Sequence, residues 1–380
     1  MRNSSAKKGC FGMEISMGEQ AAGCKNGFRI LSPGALTTIQ DAGRVGYGDR
    51  GFSPSGAVDQ KAMEIANILV GNAGKEAVLE CTLMGPTLVF TCNTVIALTG
   101  ADMQAKLSGT DIPVNQAVPV HAGAMLQMGV AIKGCRGYLA VAGGMQIPEV
   151  LGSKSLHLKC GIGGGFGRAL RAGDEIRLCR EIPSFPDLAA RVYQEPVTRD
   201  RKERVVHVVM GPQESYFTAE GIEIFQTGSY AVSNDSNRMA CKMTGAKIAC
   251  KSSSDIISDG IALGSVQISS NGQPIVMLAD RQTTGGYAKI ATVISTDISI
   301  LAQCKPGDRI HFQPVSLREA QKRYKKQSRE LQRFAKRMAP TEQGTAEQTI
   351  EKQHIIIDRY HGGLVARWTT QNADPQEYGV

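Results

Sequence analysis

The densest chemistry in the chain lies in Asp280-Arg281-Gln282-Thr283-Thr284-Gly285-Gly286-Tyr287, where an acid, a guanidinium, an amide, two hydroxyls and a phenol surround a glycine pair. So many donors and acceptors in one short span read as a recognition segment rather than a core element. Arginine offers a planar fork that matches carboxylate or phosphate, and aspartate takes protons or orients water. Gly285 and Gly286 would let backbone amides approach a ligand closely. Similar groups recur in the glycine-rich stretch Thr37 to Asp59, which holds Gln40, Asp41 and Arg44, and in the polar loop Ser233 to Met239, which holds Arg238. Brought together, they would form a cleft between two halves of the chain, a common place for ligands. The chemistry they suit is a small anionic or amide substrate handled by electrostatic positioning. The sequence has no Gly-x-Ser-x-Gly elbow, no His-Glu-x-x-His and no evident carboxylate pair, so hydrolase signatures of those kinds are missing.

The elements that must position these groups are short. Gln273 to Ala279 is an apolar run bounded by turn residues and predicts a buried strand leading into the polar segment. Ala77 to Leu79, Thr87 to Phe90, Val95 to Leu98, Gln104 to Leu107, Val118 to Val120, Met125 to Met128 and Arg136 to Val141 predict further strands, punctuated by Gly85-Pro86, Thr99-Gly100 and Gly143-Gly144. Asp59 to Leu69 predicts a helix with Asp59 as its N-cap. Ala172 to Leu178 and Pro306 to Phe312 look alike, a Gly-Asp turn before an alternating strand, and read as the last strands of two domains. The glycine-rich Gly161 to Arg168 matches neither a dinucleotide nor a Walker loop, leaving a turn with an anion-binding candidate at Arg168.

At 380 residues the chain has room for two cores. With 43 glycines and 5% aromatics, a mainly β class follows, two linked β-barrel-like domains with a few short helices and a basic C-terminal helix. The expected boundaries are a disordered leader at 1–27, a first domain at 28–180, a linker at 181–204, a second domain at 205–315, an amphipathic basic helix at 316–339 and a partly disordered polar tail at 340–380. Nine basic residues against two acidic ones in 316–339 hold nearly all of the net charge of +8. The remainder is close to neutral, which argues against a broad nucleic-acid-binding face. The apolar stripe Leu317, Ala320, Tyr324, Leu331, Phe334, Ala335 and Met338 predicts that the helix docks with its charges solvated. Ten cysteines without zinc spacing read as free thiols and suit a cytoplasmic location; no run is long enough to cross a membrane.

Taken in order, Gln40-Asp41-x-Gly43-Arg44, Ser55-Gly56-Ala57-x-Asp59, Ala66-Asn67-x-Leu69-Val70-Gly71-Asn72, Gly85-Pro86, Arg136 to Gly144, Gly211-Pro212-Gln213, Gly264-Ser265-Val266-Gln267 and Asp280 to Tyr287 resemble the KipA family. That family is also called allophanate hydrolase subunit 2, the biotin-dependent carboxyltransferase family or the C-type subunit of ATP-dependent 5-oxoprolinase. The resemblance spans Phe28 to Val315. It implies that one of the two barrel-like domains is cyclophilin-like and that the chain pairs with a KipI-type subunit. In one branch such a pair works with a third protein to open 5-oxoproline to glutamate with ATP, used at the level of the complex. In another it moves a carboxyl group from carboxybiotin to urea, and a third role is sequestering a kinase inhibitor. With no biotin-attachment sequence and no ATP-grasp-sized region, the first branch fits best. On the resemblance, Asp41, Asp280 and Arg281 are the catalytic candidates. Gln40, Arg44, Arg238, Gln282, Thr283, Thr284 and Tyr287 are the substrate-binding candidates, with no metal and neither membrane nor nucleic acid as partner. Ala240 stands where relatives carry glycine.

Overall fold

Short apolar runs broken by glycine turns bury their surface most readily as sheets, since few are long enough to give a helix a buried face. The computed structural model describes residues 26–194 and 203–339, and the backbone of 353–360 and 363–370. The described residues through Met338 form one compact unit, and those from Ala339 onward a second.

The first half of the larger unit consists of two sheets. One runs Glu175–Arg177, Gly27–Ser32, Thr87–Phe90, Met125–Gln127, Lys106–Leu107, Thr110–Asp111; the other runs Leu36–Gln40, Val78–Thr82, Lys133–Val141, Thr94–Asp102, Ala117–Val120. Phe28, Leu79, Leu88, Phe90, Leu98, Leu126 and Leu139 belong to the core they share. A second apolar layer, including Val95, Tyr138 and Ala140, packs with helix α1 (Gln60–Leu69). As its sequence predicts, α1 is capped by Asp59, whose carboxylate accepts from the Ala62 N–H at 3.0 Å.

The second half is a closed seven-stranded barrel with Val206, Val208, Val266, Ile268, Ile290, Ile310 and Phe312 in its core. Glu203–Met210 lies parallel to Arg309–Pro314 and antiparallel to Lys289–Val293, so the sheet closes on itself and removes its edges. The mainly β class expected from the sequence is therefore the class observed. Two short helices accompany the barrel, α2 (Ala219–Thr227) and α3 (Ile298–Ala302). The paired strands Asp255–Gly260 and Thr284–Tyr287 form a separate two-stranded sheet, and this takes up half of the polar segment that Asp280 begins.

Helix α4 (Leu317–Met338) leaves the barrel and returns to the first half, where Leu331, Phe334 and Met338 join the layer under α1. Its apolar stripe is buried only at that end: Leu317 and Tyr324 remain 62% and 57% exposed. The basic side chains Arg318, Lys322, Lys325, Lys326 and Arg329 are exposed, as the amphipathic pattern requires.

The described part of the stretch expected to be a linker holds a buried arginine. Arg191, 1% exposed, donates to Met338 O at 2.7 Å and Leu69 O at 3.1 Å, and its guanidinium stacks 4.1 Å from the Phe185 ring. One cation thus satisfies carbonyls at the C-terminal ends of two helices, where the helix dipole is negative. A second tie between the halves is the Gln303 amide, which follows α3. It accepts from the Cys135 and Arg136 N–H groups and donates to Asp59 and Arg136 O, all within 3.1 Å.

The proposed leader falls outside the described residues except for Asn26 and Gly27, as does much of the tail. Within the tail, Gln353–Tyr360 and Gly363–Thr370 pair antiparallel. Among the described residues no disulfide joins the cysteines, no cluster of metal-ligating side chains occurs, and no helix is long and apolar enough to cross a membrane.

Candidate site between the two β halves

A buried ion cluster joins the halves and sets the geometry around it. Glu80, on the central strand Val78–Thr82, is 1% exposed and accepts from Tyr138 Oη at 2.9 Å and from Val58 N at 2.8 Å. Arg238, from the loop before strand Ala240–Thr244, reaches across to it through Nη1. Its Nε and Nη2 grip both oxygens of Asp280 at 3.0 and 2.9 Å, and Nη2 also donates to Gly56 O at 2.7 Å. Burial works against the Arg238 charge, but Glu80 and Asp280 outweigh it and hold the guanidinium's pKa above its ordinary value. Beside them, burial followed by Glu80 and Asp59 pushes the Tyr138 phenol well up. Every nitrogen of Arg238 faces a protein acceptor, so the structure places it in the clamp between the halves.

Asp41 is similarly occupied. Its carboxylate accepts from Gly43 N at 2.7 Å, Ser153 Oγ at 2.7 Å, Lys154 N at 2.6 Å and Ser155 Oγ, fixing 153–155 against the glycine-rich stretch. Gln40 donates to Thr38 and Leu156, with its Oε1 buried and without a donor among the described residues. Both residues thus shape the wall on which Arg44 stands.

Two adjoining spaces open between the halves. A chamber of about 190 Å³ is lined by Arg44, Phe52, Ser53, His157, Cys160, Met239, Asp280 and Arg281 among others. A more open groove of about 530 Å³ is lined by Gly48, Pro54, Ile261, Arg281, Gln282, Thr283 and Thr284 among others. Arg281 and Gln282 border both, and Ser53 Oγ donates to Ala279 O at 3.1 Å, tying the glycine-rich loop to the Asp280 turn. The structure therefore brings Arg44, Asp280, Arg281, Gln282, Thr283 and Thr284 to one cleft. Tyr287 stands farther along its strand, outside both linings.

The charges of the cleft differ in how they are held. Arg281 donates from Nε to Ile261 O at 3.1 Å and from Nη1 to Leu278 O at 3.3 Å, and burial lowers its pKa. Arg44 is 1% exposed and gives Nη2 to Ser155 O, while Nε and Nη1 find no acceptor among the described residues. Burial lowers its pKa, with Asp41 and Asp280 pulling the other way. Gly163, at φ +79°, makes this packing possible: a Cβ there would lie 2.1 Å from Ser155 O and 2.8 Å from Arg44 Nη2. The Gly285 of the polar segment serves packing too, since a Cβ would meet Ile261 Cδ1 at 2.6 Å. It makes room for a neighbouring side chain, where a ligand had been expected. Arg168, the other anion-binding candidate, pairs with Asp174 through two hydrogen bonds of 2.7 and 2.8 Å.

Sequence reading missed Glu80, His157 and Cys160. Glu80 carried a signal, a lone acid within Val78-Leu79-Glu80-Cys81, because buried carboxylates need a partner. His157 and Cys160 carried none: their chain neighbours are ordinary, and only the fold brings them to Arg44.

Two β halves clamped around an arginine-lined cleft match the family model described as carboxyltransferase domain, subdomain A and B, over residues 50–314, and the chain belongs to that family. It is 37% identical to the C-type 5-oxoprolinase subunit of Escherichia coli over 82% of this chain and 98% of that one. It is 35% identical to urea amidolyase of Saccharomyces cerevisiae over 76% of this chain but 16% of the yeast protein. Among solved structures, the K. lactis urea amidolyase superposes with a TM-score of 0.76 at 31% identity, covering 83% of this chain and 20% of that one.

Proposed function

We propose that this chain is a subunit of a multi-protein, ATP-dependent 5-oxoprolinase that works with a KipI-type partner to open 5-oxoproline to glutamate. The observation that carries the reading is the extent of likeness: it runs through 98% of the E. coli 5-oxoprolinase subunit, against 16% of the yeast urea amidolyase. The cleft suits an amide substrate. Arg281, Gln282, Thr283 and Thr284 bring a guanidinium, an amide and two hydroxyls to the groove, able to orient the ring amide and stabilise charge on its oxygen. Asp41 and Asp280 enter as positioning residues, since their oxygens already accept from fixed protein donors. The finer parts of the reading are a cyclophilin-like barrel and a cytoplasmic setting.

ATP belongs to the complex. The glycine-rich loop closes on itself through the Gly167 N–H to Gly163 O bond, and its Arg168 is held by Asp174, so it does not fit a triphosphate. The test is co-expression with a KipI-type subunit and the third component, assaying ATP-dependent glutamate formation from 5-oxoproline. Arg281→Ala in the same complex should lower the rate at least about tenfold, the scale of one lost positioning or charge-stabilising contact. A well-formed complex without 5-oxoproline-dependent turnover would overturn the proposal. A second reading, a carboxyltransferase acting on urea, is favoured by the fold match to the K. lactis enzyme. It would show as urea-dependent ATP consumption in the presence of a biotin carboxylase; biotin would then come from that partner.

A further inference from the structure

We infer that the small chamber is a carboxylate-binding subsite, with Arg44 as its recognition residue. A guanidinium stays ionised in proteins, and burying it without acceptors is costly. Arg44 is 1% exposed and lines the chamber; among the described residues its Nη2 alone meets a protein oxygen, and Nε and Nη1 have no acceptor. Asp41 and Asp280 act on it electrostatically, but their carboxylates take hydrogen bonds from other donors. Nε and Nη1 are both closed to water as the side chain stands, so an anion in the chamber meets these unspent N–H groups when the Arg44 side chain turns toward it.

The chamber also sets the kind of anion. At about 190 Å³ it takes a carboxylate on a small body and excludes a nucleotide. His157 is 9% exposed and lines the same space; its Nδ1 accepts from Cys160 N at 3.2 Å, which leaves the ring proton on Nε2. Apart from Arg44 the cations at hand are engaged or peripheral: Arg281 serves two carbonyls, and Lys159 is exposed at the rim. A single buried guanidinium matches a monoanionic carboxylate better than a phosphate dianion, which asks for more donors. Because Arg281 and Gln282 border both spaces, a ligand anchored on Arg44 directs the rest of its body toward Thr283 and Thr284. This deepens the 5-oxoprolinase reading and rests on it for the ligand's identity: 5-oxoproline carries a carboxylate beside its ring amide, and urea carries none.

Cys160 is exposed, lines the chamber and reports on its occupancy; Cys179, exposed and outside that lining, is the internal control. The full chain, alone and in complex with its KipI-type partner, is alkylated with iodoacetamide and each cysteine followed by mass spectrometry. At about ten times its Kd, 5-oxoproline should slow Cys160 alkylation roughly tenfold and leave Cys179 unchanged. Equimolar 2-pyrrolidinone, the same ring without the carboxylate, and inorganic phosphate should protect little. Arg44→Lys, which keeps the charge and loses the fork, should abolish the difference. Equal protection by 2-pyrrolidinone, stronger protection by phosphate, or none by 5-oxoproline overturns the inference. If protection fails while the complex still cleaves 5-oxoproline, this subsite falls and the enzymatic reading stands. If small carboxylates protect but no cleavage occurs, the subsite stands and that reading falls.

Discussion

Replacing Arg238 with methionine keeps much of the side chain's length and removes its charge and every donor. Four hydrogen bonds disappear, to both oxygens of Asp280, to Glu80 and to Gly56 O. Glu80 keeps Tyr138 Oη and Val58 N, so it remains partly solvated by the protein. Asp280, 7% exposed, and the Gly56 carbonyl lose their Arg238 partner. A stranded buried carbonyl costs about 1–3 kcal/mol, and breaking a buried ion pair from one side typically costs about 3–5 kcal/mol. These terms overlap, and the expected loss is about 3–5 kcal/mol, read as the drop in unfolding free energy from urea titration followed by circular dichroism. The combined change Arg238→Met, Asp280→Leu should recover part of that loss, since it removes the stranded Asp280 charge while Glu80 still accepts from Tyr138 Oη and Val58 N. A loss below about 1 kcal/mol for the single change, the scale of an exposed pair, would refute the role assigned to the cluster.

Three further outcomes follow from the geometry. Arg191→Met should destabilise the chain by about 1–3 kcal/mol, because the carbonyls ending α1 and α4 lose their common donor; hydrogen exchange should rise first at the last turns of those helices. Gly163→Ala should cost more than about 1 kcal/mol and lower Cys160 reactivity or ligand protection, since its Cβ would collide with Ser155 O beside Arg44. Burial holds His157 below its ordinary pKa of 6.5, with Asp280 opposing and Arg44, Arg238 and Lys159 reinforcing. The unfolded chain therefore takes this proton more readily than the folded one. Its contribution is complete above pH 6.5 and shrinks as pH falls below that value. Wild-type Tm should consequently fall more steeply than that of His157→Gln between about pH 6.5 and 5, and parallel curves would rule this out.

Local rules carried far in the fold and less far in the site. Thr87–Phe90 is the strand its apolar pattern implies, and Asp59 caps α1, because both depend on neighbours in sequence. Leu317 and Tyr324 share a helical stripe with Phe334 yet stay exposed, since periodicity shows which residues share a face and not how much of that face meets a partner. Arg191 lay hidden in a proline-containing polar stretch whose composition resembles a linker; its burial comes from two helix ends that converge on it. Among the site candidates, Arg44, Asp280 and Arg281 share the cleft, whereas Arg238 and Asp41 proved to be committed to protein partners. Residue type announces what a side chain can bond, but the inventory of nearby acceptors exists only after folding.

The ties that cross between the halves also bear on how such a sequence travels. With Arg238 reaching Glu80, Gln303 reaching Arg136, and α4 packed under α1, neither half presents a finished surface to water by itself. Cutting the chain between them would expose a buried carboxylate on one fragment and a buried guanidinium on the other. Such a pair is best inherited whole, as a cassette. The matches have that form: the same region makes up nearly all of the E. coli protein and about a sixth of the yeast urea amidolyase, in each case with both halves together.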